Sequence, residues 1–338
     1  NKIGKVFTTD ILIIGAGLGG TVTATKVHEL NESAKILLIE KGYYGYTGDS
    51  TKAGHGMVMM APEDDLDTFC EEQVKLNQHG MYLNDQEYML EYQKDGYTYV
   101  QELERLGGTF AHNPDGSLHY HKEFEGRLVS SVNLDLDFAN GFAQKVLENG
   151  ARVLERTYFT DLLTNHGKVV GAVAFNIDTT EFYIIRAKAV VLAASDFSAT
   201  AKDMFFSPAT AVYAAYEAGA QLRNVEQLLQ YDLCLRNTGN YIYGMHWVVC
   251  NRLGENIFEK YGCTDYEDIG VDFIRGALKE VEEGNGPLYA DYSKLPATST
   301  TEGEGFNQGI LMKKRVAMSK FIRSLGKEDA LTKPEVSL

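Results

Sequence analysis

No stretch of this 338-residue chain approaches the roughly 20 consecutive apolar residues that a membrane-spanning helix needs. Cations are also scarce: 32 Lys and Arg stand against 47 Asp and Glu, a formal net charge of −15. Such a surface repels nucleic acid and anionic membranes, so neither is an expected partner. Cysteines are few. Cys70, Cys234, Cys250 and Cys263 lack the C-x-x-C spacing of an iron–sulfur or zinc site, and no metal is expected. Their bland reading is reduced, mostly buried thiols, which points to the cytoplasm. Asn1 is not an initiator methionine, so a cleaved leader and a periplasmic location stay open.

Against these absences stands one dense stretch, residues 10–40. Ile11, Leu12, Ile13 and Ile14 form a short apolar run that reads as a buried parallel strand. It ends in G-x-G-x-x-G at Gly15, Gly17 and Gly20. Gly15 permits the tight turn, Gly17 lets backbone approach a pyrophosphate, and Gly20 lets the following helix pack on the strand. That helix, residues 18–30, would offer free N–H groups to the phosphates. A second apolar strand, residues 35–39, ends on Glu40, whose carboxylate can accept hydrogen bonds from both ribose hydroxyls. Strand, turn, helix and acid together predict an adenine dinucleotide site. The motif alone does not separate FAD from NAD.

Residues 41–57 are rich in glycine and small polar side chains, as expected of a loop lying against a ligand. Ser50 and Thr51 could donate to phosphate. Pro62 with Glu63, Asp64 and Asp65 reads as the start of one amphipathic helix. Asn84 with Glu87 reads as a capping box opening a second, continuous to Leu106. His112, His119 and His121 lie near Glu123 and Glu125; in so polar a loop they read as solvated rather than metal-bound. After a helix at 137–147 come strand-like runs at 152–155, 158–164, 169–176, 182–187 and 189–194, with His166-Gly167-Lys168 as a turn. A β-meander followed by a buried return strand departs from the plain NAD-dehydrogenase plan and fits FAD-binding two-dinucleotide-type folds.

The order of G-A-G-L-G-G, E-K, the S-T-K-A-G-H-G-M loop at 50–57, the meander and A-V-V-L-A-A at 189–194 resembles the fumarate reductase/succinate dehydrogenase flavoprotein superfamily. The likeness continues through Ala214–Ala220, Asn224-Val225-Glu226 with Gln230, and the turn at 251–258, so it covers roughly residues 8 to 285. Within that superfamily the chain is nearest in flavor to adenylylsulfate-reductase-like α subunits. The resemblance implies an α/β fold: an FAD-binding two-dinucleotide-type Rossmann-like domain with an inserted meander at 1–232, a partial α+β cap or substrate domain at 233–295, and a linker and outward C-terminal arm at 296–338.

By the same resemblance FAD would be held by Gly15, Gly17, Gly20, Glu40, Lys41, Ser50, Thr51 and Gly56, with His55 near the flavin. Asp49 stands where covalent members carry the flavin-linking histidine, so non-covalent FAD is expected. Other positions depart from the family. Tyr231-Asp232-Leu233 replaces its H-P-T, and Val271 falls where the proton-donating arginine is expected. Valine can neither protonate a carbanion nor clamp a carboxylate, so ordinary fumarate reduction is not expected. Arg236 and His246, in a polar cluster with Asn237, Tyr241 and Tyr243, are the replacement candidates for substrate chemistry, together with His55.

The resemblance thus implies an anaerobic-type oxidoreductase passing two electrons or a hydride between FAD and a small substrate. Single electrons would come through a ferredoxin-like or cytochrome subunit, since no cluster motif is present here. The family's closing segment is not recognised in the sequence, so the chain is expected either to be completed at the flavin site by a second polypeptide or to be a truncated relative. The alternative is a structural flavoprotein-like subunit that holds the fold without catalysis.

Overall fold

The computed structural model describes residues 4–48, 50, 56–75, 82–83, 85–107, 110, 112–119, 121–122, 130–133, 138–195, 209–225, 233–236, 246–263, 271–291 and 335–337. In chain order, β1 (Lys5–Ile14), α1 (Leu18–Leu30) and β2 (Ile36–Ile39) form the first unit. Then come β3 (Gly56–Met59), α2 (Leu66–Lys75), α3 (Gln86–Lys94), α4 (Gly96–Arg105), β4 (His121–Lys122), β5 (Ser130–Asn133), α5 (Phe138–Glu148) and β6 (Arg152–Leu154). The meander is β7 (Thr157–Asn165), β8 (Lys168–Asn176) and β9 (Phe182–Leu192), followed by α6 (Thr210–Glu217). The last elements are β10 (Cys234–Leu235), β11 (Val249–Cys250), α7 (Ile257–Lys260), α8 (Val271–Glu282), β12 (Leu288–Ala290) and β13 (Glu335–Ser337).

The main sheet runs β6-β2-β1-β9-β8-β7. Its first four strands are parallel, and β8 and β7 join antiparallel. Period-two alternation along β1 decides what packs where. Ile13 faces a cluster with Ala24 of α1 and Ala143 and Val146 of α5. Leu12 and Ile14 face the opposite cluster with Phe159, Ile185 and the α6 residues Ala211 and Ala214. Helices therefore cover both faces of the parallel strands, which is why those strands read as continuous apolar runs.

The two strands expected at 182–187 and 189–194 are one strand, β9. Lys188, which separates the apolar runs, does not interrupt it; its ammonium pairs with Asp10 at 2.7 Å. β1 is correspondingly longer than its apolar core, with Lys5 to Thr9 pairing Tyr183 to Ala187. The helix expected to run to Leu106 is two helices that meet at Asp95. Breaking there turns Val100, Leu103 and Leu106 into a cluster with Met59, Phe110 and Phe142. Asp85 is the N-cap of α3, accepting from the Tyr88 N–H at 3.2 Å; Asn84 lies outside the described residues. Likewise α2 starts at Leu66, after Asp65, which accepts the Thr68 N–H at 2.9 Å, rather than at Pro62.

A second core gathers Leu233, Val248, Val249, Ile257, Phe258, Phe273, Ala277, Leu288, Ala290 and Val336. Its sheet is ordered β10-β13-β12-β11. This corrects part of the sequence reading. Glu335–Ser337, expected in an outward arm, form a strand antiparallel to both β10 and β12. Val336 is the reason: its side chain is buried in that core.

A candidate dinucleotide site

β1, β2 and β9 end at the same edge of the sheet, and a cavity of about 490 Å³ opens there. Strand order reverses at β1, which has β2 on one side and β9 on the other, and such a switch point is where open α/β sheets place ligands. Gly15, Gly17, Leu18, Glu40, Lys41 and Ser50 line one side; Tyr158, Ala193, Ser195 and Thr210 are among those lining the other.

The glycine turn is fixed by close approaches. Gly15 has φ +92°, and a Cβ there would lie 2.3 Å from the Ala193 carbonyl oxygen. A Cβ on Gly20 would lie 2.1 Å from the Gly15 carbonyl oxygen, so α1 reaches the strand only because Gly20 has none. Gly17 differs: a Cβ there would meet only Ser50 Oγ, at 3.2 Å, and would otherwise project into the cavity. Gly17 is the N-cap of α1 and supplies no side-chain acceptor, and the first turn carries no acid. The Leu18 N–H donates to Ser50 Oγ at 3.0 Å. A helix start without its own capping carboxylate, opening on a cavity, suits an anionic pyrophosphate.

Glu40 is 5% exposed. Its Oε2 accepts the Ala16 N–H at 3.0 Å and its Oε1 accepts the Gly42 N–H at 2.8 Å. A carboxylate has about four lone-pair sites, so both oxygens keep capacity for ribose hydroxyls. Behind it Tyr44 is buried against Thr21, its hydroxyl 3.2 Å from Thr21 Oγ1, and burial pushes the phenol up to about 12. Tyr44 therefore acts as a neutral strut under the loop after β2.

Gly15, Gly17, Glu40, Lys41 and Ser50 are thus brought together around one cavity, with Gly20 as the packing residue beneath it. Gly56 opens β3, paired with Asn133 of β5, and is not among the cavity's lining residues. Thr51, His55 and Asp49 lie outside the described residues. Arg236 is exposed; its N–H donates to the Glu335 carbonyl at 2.9 Å and its guanidinium pairs with the Glu335 carboxylate. His246 is completely buried in the second core, its ring 5.6 Å from Phe258 and 5.3 Å from Phe273. Neither residue lines this cavity. Of the histidine loop, His112 hydrogen-bonds the Phe110 carbonyl and Glu104, both at 3.0 Å, and His119 bonds Asn113 at 2.8 Å.

Sequence reasoning missed the far wall, Leu192 to Ser195, Thr157 to Phe159 and Thr210 with Ala211. The signal was available for part of it: a return strand beside β1 must end at the same edge as the glycine turn. Nothing in the sequence marks the start of β7 as ligand-facing.

Fold and cleft together define an adenine-dinucleotide-binding α/β protein. Residues 10–229 match the family described as FAD binding domain, and the chain belongs to that family. An uncharacterised FAD-dependent oxidoreductase of Methanocaldococcus jannaschii is 23% identical over 96% of this chain and 61% of its own length. One of the subunits of the CoM/CoB fumarate reductase of Methanothermobacter marburgensis is 23% identical over 86% of this chain and 57% of its own. The chain thus spans about 60% of the length of these relatives. Among solved structures, quinol fumarate reductase FrdA of E. coli superposes with a TM-score of 0.73 at 20% identity, covering 98% of this chain and 60% of that one. Adenylylsulfate reductase of Archaeoglobus fulgidus gives 0.62 at 18% identity, covering 98% and 58%. Both share the fold.

Proposed function

We propose that this chain is the FAD-binding part of an oxidoreductase flavoprotein, with the dinucleotide held non-covalently along the cleft between β2 and β9. The observation that carries the reading is the cavity at the strand ends, with a helix start that has no capping carboxylate of its own on one side and the buried carboxylate of Glu40 beside it. Gly17 and the first turn of α1 would hold the pyrophosphate, Ser50 and Lys41 would flank it, and Glu40 would accept the ribose hydroxyls. Thr51, Gly56 and His55 are assigned to the flavin side by family resemblance. When bound, FAD supplies two-electron or hydride chemistry toward a small substrate. Electrons would be exchanged through a separate ferredoxin-like or cytochrome polypeptide; that the M. marburgensis relative is named as a subunit supports a multi-subunit assembly. Arg236 and His246 remain candidates for the substrate side.

A second reading draws on those last two residues. Arg236 is occupied by Glu335, and His246 is enclosed by aromatic rings. His246 serves the second core and Arg236 ties β10 to β13 at the surface, as a subunit that binds FAD without catalysis would allow. Dye-linked reduction of candidate acceptors by the reconstituted full chain separates the two readings. Turnover that falls when Arg236 or His246 is replaced, with flavin content unchanged, supports the catalytic one. Full flavin occupancy with no turnover on any acceptor supports the structural one.

A further inference from the structure

Tyr158 and Thr210 meet across the far wall of the cavity. One is the second residue of β7, the other the first of α6; their hydroxyls are 2.8 Å apart, and both residues line the cavity. Their position along the cleft is set by the preceding residue. The Thr157 N–H donates to the Glu40 carbonyl at 2.8 Å, so the pair stands beside the acid assigned to the ribose. Phe175 of β8 backs the Tyr158 ring at 5.7 Å between centroids, which fixes where the hydroxyl points.

The other partner needs holding. α6 has eight residues, and its N-cap is Ala209, at φ +57° and without a side-chain acceptor. Left-handed backbone is unfavourable for alanine, and an alanine cap offers the first N–H groups no side-chain acceptor. Ala211 and Ala214 bury one face of α6, but both lie beyond its first residue. The hydroxyl pair ties that first residue to the sheet.

We propose that the Tyr158–Thr210 hydroxyl pair is a latch: it holds the first turn of α6 against β7 and so shapes the nucleoside end of the cavity around the adenylate half of a bound dinucleotide. The latch rests on the FAD reading above and makes Tyr158 and Thr210 positioning residues rather than catalytic ones. Because the pair lies beside Glu40, its loss should act on ADP as much as on FAD.

The test uses the full chain as wild type, Tyr158→Phe, Thr210→Val, the double variant and Thr210→Ser. FAD affinity is read by flavin fluorescence and ADP affinity by calorimetry. Each single loss of a hydroxyl should weaken FAD and ADP alike by about three- to tenfold, the size of one net hydrogen bond. The double variant should be no weaker than the singles, since both remove the same bond. Thr210→Ser keeps a hydroxyl and should bind like wild type. If Thr210→Val fails to fold, Tyr158→Phe carries the test, because phenylalanine preserves the packing on Phe175. Wild-type affinity in Tyr158→Phe, or losses that add in the double variant, would overturn the latch while leaving the FAD reading intact. A wild-type chain that binds neither FAD nor ADP overturns the FAD reading and the latch with it.

Discussion

Glu40 holds Ala16: the carboxylate at the end of β2 accepts the N–H of the residue inside the glycine turn, 3.0 Å away. Its other oxygen holds Gly42 at 2.8 Å. One side chain thus fixes the turn after β1 and the loop after β2 to each other, and presents what remains of its hydrogen-bonding capacity to the cleft. Replacing Glu40 by Ala removes two charge-assisted bonds and leaves two N–H groups in a buried place, so two effects are expected. The melting temperature of the FAD-free protein should fall, and FAD affinity should drop about ten- to hundredfold. Calorimetry and flavin titration read the two separately. Unchanged affinity in a well-folded Glu40→Ala protein would remove ribose binding from the account.

The three glycines of the turn should fail in different ways. Gly20→Ala forces a methyl onto the Gly15 carbonyl and should destabilise the protein by about 1–3 kcal/mol or more, as overpacking does. Gly17→Ala meets only Ser50 Oγ, so the fold should survive with its melting temperature nearly unchanged. The added methyl points into the cavity, and FAD binding should fall sharply. Equal stability losses in both variants would show that Gly17 is a packing residue like Gly20.

A buried carboxylate that does not line the cleft gives the chain a specific response to acid. Glu280 is fully buried and accepts from Asn251 at 2.6 Å and from Tyr261 and Lys260 at 2.8 Å each. Burial opposes its ionisation, but Lys260, Asn251 and Tyr261 outweigh that and hold the carboxyl at about 2, below its ordinary 4.5. A carboxyl depressed on folding stabilises the native state above its unfolded value and loses that contribution as pH falls through the folded one. Glu280→Gln should therefore cost about 1.5–3 kcal/mol at neutral pH. The gap from wild type should narrow as pH drops below about 4.5 toward 2. Urea melts at several pH values check this; a gap that stays constant down to the acid limit would contradict it.

Val336 is a test of the last strand. It is 4% exposed, between β10 and β12 in the second core. Val336→Ala should cost about 1–3 kcal/mol through lost burial and the cavity left behind. Urea denaturation measures it, and a change within error would mean that β13 is not part of the core.

Fumarate is expected to be a poor acceptor. Val271, the first residue of α8, stands where the resemblance places a proton-donating arginine. Asp232, outside the described residues, stands where it places a substrate histidine. Reduced-dye assays of the reconstituted full chain with fumarate should show no turnover above background. A rate near the enzyme median of about 10 per second would show the proton donor to lie elsewhere.

Legibility in the sequence followed the range of the forces involved. Gly15, Gly17, Gly20 and Glu40 could be placed from sequence because turn, helix start and strand end are set by residues a few positions apart. The turn at His166 and Gly167 was equally plain, both residues taking positive φ between β7 and β8. Other features depend on contacts distant in the chain. Lys188 separates two apolar runs, yet its pairing with Asp10 keeps β9 whole. Asp95 sits in a good helical pattern, yet the burial of Val100 and Leu106 ends α3 there. Glu335 and Val336 read as part of an outward arm until β10 and β12 are brought to either side. The far wall of the cavity, Tyr158 and Thr210, joins residues 52 positions apart and carries no local motif.

The central claim, a non-covalent FAD seated on the Gly15–Gly20 turn and Glu40, is tested most directly by one spectrum. The full chain is purified, saturated with FAD, freed of excess ligand, and its visible absorbance recorded before and after acid precipitation. Flavin absorption is expected in stoichiometric amount, released into the supernatant by acid and identified there as FAD. Colour that stays with the pellet would contradict non-covalent binding. A colourless protein that has not taken up FAD would contradict the site itself.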